Sequence, residues 1–486
     1  MIDKILQQLT YNPDEPLIFS SGLFLMLFLG FTFCYMLMQH TRTLRLLFVT
    51  AFSYYFYYKS SGFYFFLLAV VTLSDFFIAR TLAKHKSKWL VALSLMVDLG
   101  LLAYFKYTNF FAGMWAQMVG SNFQPWDIFL PVGISFFTFQ SMSYVIDVYR
   151  GDLKPLPSLL DYAFYVSFFP QLVAGPIVRA RDFTPQIRKP LEVTQEMFAR
   201  GVFFIMIGLF KKAVISDYIS LNFVDRIFDN PSLYSGVENL LGAYGYAMQI
   251  YCDFSGYSDM AIGIALLLGF RFPINFNAPY TSQSITDFWR RWHISLSSWI
   301  RDYIYISLGG NRKGKVRQYV NLIITMLLGG LWHGASLNFV AWGGMHGVAL
   351  AIHKWMRDNI FHHDKHYVSH GLRRMGAVVL TFHFVVFCWI FFRNRTFEAS
   401  WTMISKIFTD FHPELFLQVV EGYWVVFAMI LFGYVTHFIP DRWTEGCVSV
   451  IKRGGVVLGA LLIAAVIYIV IQVKSSEIQP FIYFQF

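Results

Sequence analysis

The chain has 486 residues, 56% hydrophobic and only 14% charged, with 53 Phe and a formal net charge of +10. That composition excludes a soluble globular protein and describes an integral membrane protein with many spans. The excess of Lys and Arg is read through the positive-inside rule, because there is no soluble face on which a nucleic-acid binder could concentrate it. The four cysteines, Cys34, Cys252, Cys388 and Cys447, lack metal-ligand spacing and lie mostly in apolar runs. They read as small apolar filler, with neither a disulfide framework nor a metal site.

In chain order, the N-terminal MIDKILQQLTYNPDEP carries mixed charge and no small-residue cleavage site, so the first apolar run is expected to stay as an anchor. Apolar runs predict spans near 17–38, 44–58, 62–79, 89–105, 128–147, 159–178, 198–219, 239–270, 319–351, 376–392, 423–439 and 455–473. Some are short or glycine-rich, so the expectation is an all-α protein with about eleven crossings plus one or two re-entrant or interfacial pieces. Basic clusters near His40–Arg45, Arg80–Lys88, Arg179–Lys189, Asn311–Arg317 and Ile451–Arg453 are placed inside, which puts both the N-terminus and the tail after residue 473 outside. No soluble domain, linker or internal repeat interrupts this single polytopic unit, 1–486.

Several interior stretches are polar. LPVGISFFTFQSMSYVIDVYRG (130–151) carries Gln140 and Asp147, read as helix–helix glue. FFPQLVAGPIVRARDF (168–183) holds Pro170, Gly175 and Pro176 and reads as a broken segment. YCDFSGYSDMAIG (251–263) buries Asp253 and Asp259, six residues apart and so on different helix faces. A packed polar cluster or tunnel wall fits them, with Arg or backbone groups as partners.

The segment 286–351 is the candidate catalytic core. From Ile285 to Tyr303 apolar residues recur at helical spacing, with Asp287, Arg290, Arg291, Arg301 and Asp302 between them. This predicts a Trp- and Arg-rich helix lying at the membrane surface and carrying His293 on its edge. The apolar run from Tyr319 to about Ala351 is expected to cross the bilayer, with His333 roughly 20 Å along it and flanked by Gly329, Gly330 and Gly334. An ionisable group at that depth marks a working site. The other histidines read as less informative: His362, His363, His366 and His370 belong to a solvated loop, and His346, thirteen residues beyond His333, points away from it on a regular helix.

DFWRRWHISLSSWIRDYIYISLGGNR followed by LLGGLWHGASLNFVAWGGMHG resembles the membrane-bound O-acyltransferases, and within them the bacterial alginate O-acetyltransferase branch. That branch takes in peptidoglycan and cellulose O-acetylation proteins and is related to the teichoic-acid D-alanylation transporter. The three polar stretches above match its pattern in order, so the likeness covers most of residues 40–350. It implies a ring of helices around a central pore, an embedded catalytic His at His333 and a second polar position at His293. It also implies a cytoplasmic acyl thioester donor, here acetyl-CoA, with no metal. The acceptor chemistry ends outside, through a periplasmic SGNH-like acetyltransferase partner, at the bacterial inner membrane. The last residues, FIYFQF, resemble an acyl-carrier motif in which a Tyr, here Tyr483, takes the acyl group; this motif ends the extracytoplasmic tail, 475–486.

Tyr hydroxyls have a pKa of about 10, so the nucleophile needs a base, which a neutral imidazole supplies; an acyl-His intermediate is the alternative. Trp332, Asn338 or His293 are candidate oxyanion donors, and Arg290, Arg291 and Asn311–Arg317 candidate contacts for the donor's phosphates. Competing functions are acylation of a lipid or protein, and a transporter without chemistry. Labelled acetyl-CoA separates the last, since a transporter leaves no acetyl group on the chain.

Overall fold

The computed structural model describes residues 7–13, 15–38, 40–362, 369–473 and 481–482. Tyr483, His363, His366 and most of the 475–486 tail lie outside the described residues. Among those described, every regular element is helical. The ones used below are α1 (Gly22–Leu37), α2 (Arg42–Ser61), α3 (Phe65–Lys84), α4 (Lys88–Met118), α5 (Ile134–Arg150), α6 (Leu159–Ser167), α7 (Gln195–Leu209), α8 (Gly236–Leu267), α9 (Ile285–Arg291), α10 (Ile294–Ile300), α11 (Lys315–His333), α12 (Leu337–Met356), α13 (Gly371–Arg393), α14 (Phe397–Thr409), α15 (Trp424–Thr436) and α16 (Asp441–Val473).

Four described stretches are long and apolar enough to cross a membrane: Arg42–Lys84, α4, α13 and α16. A fifth would combine Pro413–Gly422 with α15 across a 94° bend. The other apolar runs fold as helices that are shorter, interrupted or more polar.

α8 is the element on which the bundle is built. It opens with a capping box: Ser235 Oγ accepts the Glu238 N–H while the Glu238 carboxylate accepts the Ser235 N–H. It then runs 32 residues, about 48 Å, and is buried on nearly every side, as its apolar circumference requires. α7 lies against it along paired glycines. Gly201 faces Gly263 and Gly208 faces Gly256, each so close that a Cβ would meet the opposite main-chain oxygen. Beyond α7 the chain widens into π-helical turns, Phe210–Ser216 and Ser220–Val224. From there Lys211 pairs with Asp259 at 2.7 Å and Lys212 with Asp253 at 2.6 Å. Two successive lysines thus serve two aspartates on different faces of α8.

Two sequence expectations change. The run 319–351 is not one crossing. α11 ends at His333, Gly334–Ser336 turn the chain, and α12 packs back along α11 as a helical hairpin. The basic residues at both open ends, Lys315 with Arg317 and Lys354 with Arg357, therefore fall on one side. The glycines do not loosen the helix. They permit the close crossing: a Cβ on Gly330 would overlap the Phe339 carbonyl, one on Gly343 the Met326 carbonyl, and one on Gly347 would sit 2.9 Å from Ile323 Cα. Gly343→Val is expected to force the helices apart and lower the melting temperature of the purified protein by several degrees, from overpacking of about 1–3 kcal/mol or more. Gly344→Ala, whose Cβ would meet only Leu327 Cδ2 at 3.4 Å, is the control expected to melt with the parent. Equal melting of the two variants would refute the close-packed hairpin.

The second change concerns 285–303. It is two short helices, not one surface helix, and its apolar face is covered by protein. Phe288, Trp292, Leu296 and Trp299 are all buried. The aromatic rings find partners within the fold: Trp299 stacks on Phe139 with centroids 3.9 Å apart, and its indole N–H donates to the Phe139 carbonyl. Asp147 accepts the Tyr303 hydroxyl at 2.8 Å as interhelical glue, and 168–183 is broken after α6 at Phe168.

Candidate active site

His293 occupies the break between α9 and α10 with φ of 43°, the left-handed region that a non-glycine residue rarely adopts. Neighbouring hydrogen bonds fix the break. Asn277 N–H donates to the Arg291 carbonyl, Ile294 N–H to the Asn275 carbonyl, and the Asn275 side-chain oxygen accepts from both Ser295 N–H and Ser295 Oγ. A strained residue held on both sides is over-determined, a common state at functional sites. The imidazole is fully buried, edge-on to Phe254 at 4.5 Å and 6.2 Å from Trp332.

His333 sits at the tip of the hairpin, as the last residue of α11. Carbonyls at a helix C-terminus lack helical partners and carry partial negative charge. α4 supplies both remedies. Lys106 Nζ donates to the Trp332 carbonyl at 2.6 Å and to the His333 carbonyl at 3.0 Å, and the Tyr107 hydroxyl donates to the Leu331 carbonyl at 2.8 Å. The ring of His333 lies among Trp332, Trp342 and Phe392, with centroids 4.8–5.1 Å away.

Two cavities meet at His333. One, of about 580 Å³, is lined by apolar side chains and by Arg290, Arg301, Lys354 and Arg357, with His333 and Trp342 at its depth. Asp358 steadies two of these cations, at 2.7 Å from Lys354 and 2.8 Å from Arg357. Burial pushes the Asp358 carboxyl up, but hydrogen bonds from Lys354 and Arg357 outweigh it and hold it below the usual carboxylate range. The other cavity is smaller and is bounded by Lys106, Pro131, Gly133, Phe136, Trp332 and His333. A reactive group placed between two chambers can meet a donor from one and an acceptor from the other.

Residues 22–367 match the sequence pattern of the MBOAT family, described as the membrane-bound O-acyltransferase family. The chain belongs to the membrane-bound O-acyltransferases. It is 37% identical over 500 residues to the probable alginate O-acetylase AlgI of Pseudomonas putida strain KT2440, covering 97% of this chain and 100% of that one. It is 39% identical over 342 residues to a peptidoglycan O-acetyltransferase of Helicobacter pylori strain 26695, covering 65% and 64%. A teichoic acid D-alanyltransferase of Bacillus subtilis strain 168 is 32% identical over 282 residues, covering 55% and 69%. The protein is a membrane-bound O-acyltransferase built on a helical fold.

Within this O-acyltransferase the structure sorts the sequence candidates. His333, His293 and Trp332 come together. Arg290 lines the larger cavity, whereas Arg291 turns to Asp287 at 3.0 Å and to the Asn277 carbonyl. Arg312 and Lys313 are not in that lining, whereas Arg301, Lys354 and Arg357 are. The Asn338 amide donates to the Asn394 carbonyl at 2.7 Å and to Ser400 Oγ, bracing α12 against α13 and α14. His346 does not point away from His333. The hairpin brings both rings against Trp342, at 4.8 and 5.1 Å.

Asp253 takes Lys212 in place of the Arg expected and, as expected, a backbone group. Its Oδ2 accepts the Ile482 N–H at 3.0 Å. Phe481 is fully buried and lies 5.7 Å from Phe254 and 4.8 Å from Tyr257. A run of aromatic contacts, Phe481 to Phe254 to His293 to Trp332, therefore leads from the C-terminal segment to His333. Lys106, Tyr107, Lys354 and Arg357 were also missed. Lys106 was findable, since a charge inside the apolar stretch of α4, which it shares with Asp98, is costly and marks a role.

Proposed function

We propose that this O-acyltransferase carries acetyl groups from cytoplasmic acetyl-CoA to an extracytoplasmic polysaccharide at the bacterial inner membrane. The observation that carries the reading is that His333 borders both cavities, one of them rimmed by four cations. The basic rim suits the phosphates of coenzyme A, and the apolar depth suits its pantetheine arm. Counted by the positive-inside rule, that rim is cytoplasmic. About eleven crossings around a central pore would then bring His333 within reach of both sides.

Tyr483 is the acceptor within the chain. Its hydroxyl oxygen attacks the thioester carbonyl carbon; a C–O bond forms and the C–S bond breaks. The His333 imidazole takes the phenolic proton during attack and passes it to the departing thiolate. The acetyl-tyrosine ester is then open to a polymer hydroxyl, through an SGNH-like partner outside. Trp332 and His293, grouped with His333, are the candidates to stabilise the oxyanion. Relatives named for alginate and for peptidoglycan acetylation support a glycan acceptor.

Charge reversal of Arg290 and Arg357 to Glu is expected to raise the apparent KM for acetyl-CoA on the order of ten-fold with little change in kcat, the mark of lost ground-state binding. The effect should shrink as salt screens the charges. Reversal of Arg312 and Lys313, outside the lining, should leave KM near the parent's. An unchanged KM in the Arg290 and Arg357 variants at low salt would remove the cavity from donor binding.

A further inference from the structure

We propose that Asp253 is a main-chain latch that seats the C-terminal segment for transfer, a positioning role that rests on the carrier reading of Tyr483. Lys212 Nζ lies 2.6 Å from Asp253 Oδ1 and 2.7 Å from Asp217 Oδ1, so one ammonium serves two carboxylates. Asp253 is buried, and its second oxygen, Oδ2, needs a donor, because a buried carboxylate oxygen left without one carries its full desolvation cost. The donor is the Ile482 N–H, from a residue 229 positions further along the chain.

The latch reads backbone where it grips and shape beside it. Phe481 fills an aromatic seat made by Phe254 and Tyr257, and Ile482 is 3% exposed. Phe254 is itself packed on His293. The docked pair is therefore fixed against the same wall that holds the histidines. Anchoring the chain next to Tyr483 limits where its hydroxyl can go, which is how a latch helps bring nucleophile and thioester together. The ion pair with Lys212 does more than neutralise charge: it sets the carboxylate plane, so that Oδ2 faces the tail.

Two variants separate the latch from general stability. Asp253→Asn leaves one acceptor oxygen where two are needed, so it can serve Lys212 or Ile482 but not both. Ile482→Pro removes the tail's N–H, along with the Ile side chain, and leaves the Lys212, Asp217 and Asp253 cluster intact, which keeps the test valid if the first variant folds poorly. In the purified full chain, both should speed hydrogen–deuterium exchange of the C-terminal peptide at least ten-fold. With the extracytoplasmic transferase and its glycan supplied, both should also lower kcat for glycan acetylation at least ten-fold, with the KM for acetyl-CoA unchanged. Parent-like exchange in both variants would overturn the latch. Faster exchange with an undiminished kcat would overturn the positioning role. The carrier reading fails on a different result: Tyr483→Phe that retains acetylation, whatever the exchange of the C-terminal peptide.

Discussion

His333→Ala is expected to abolish acetyl transfer while leaving the protein inserted and folded. Removing a positioned general base costs typically 10²–10⁴-fold in rate, and an alanine at this site can take no proton from a phenol. The fold should tolerate the change for a local reason. α4 holds the hairpin tip through main-chain carbonyls, by way of Lys106 and Tyr107, so the tip stays capped whatever side chain residue 333 bears. The lost ring packing with Trp342 and Phe392 leaves a void beside the existing cavities. Expression and detergent-extracted size-exclusion behaviour should match the parent's while acetylation of the polymer falls to background. Loss of the folded protein together with activity would instead make His333 a packing residue.

Tyr483→Phe is the second large effect. The ring is kept and only the hydroxyl is lost, so an aromatic anchor at the membrane surface would survive the change and an acyl carrier would not. Polymer acetylation should fall to background at normal protein level. Because Phe481 and Ile482 hold the segment through ring packing and a main-chain N–H, the docking of the tail should be untouched. Retained acetylation would end the carrier account.

Much of this was legible in the sequence, and the parts that were not share one physical cause. Helical runs follow from composition and length, and so α8, α4 and α16 appear near the expected places. His333 stood out because an ionisable group in an apolar run is costly, and His293 because the resemblance gives that position a role. What the sequence hid is where an apolar run turns back. Residues 319–351 are long enough to cross once, and the three residues Gly334–Ser336 that fold them into a hairpin carry no proline. The glycines flanking His333 were read as a weakness in one helix, when their use is a close contact between two. Likewise, the Trp and Arg pattern of 285–303 is the same for a helix on a lipid surface and for one buried under a bundle. Only the tertiary partners, Phe139 above Trp299 and Asn275 beneath Ser295, decide between them. Long-range pairings were beyond reach for the same reason: no spacing rule connects Asp253 to Ile482, or Lys106 to His333.

The measurement that bears most directly on the account is mass spectrometry of the C-terminal peptide from membranes given acetyl-CoA, prepared from cells without the extracytoplasmic transferase so that the carrier cannot discharge. An O-acetyl group on Tyr483 in the parent, absent in the His333→Ala protein, is the expected result and puts both residues on one reaction path. A parent whose Tyr483 carries no acetyl group, or an acetyl group there that persists undiminished without His333, would contradict it.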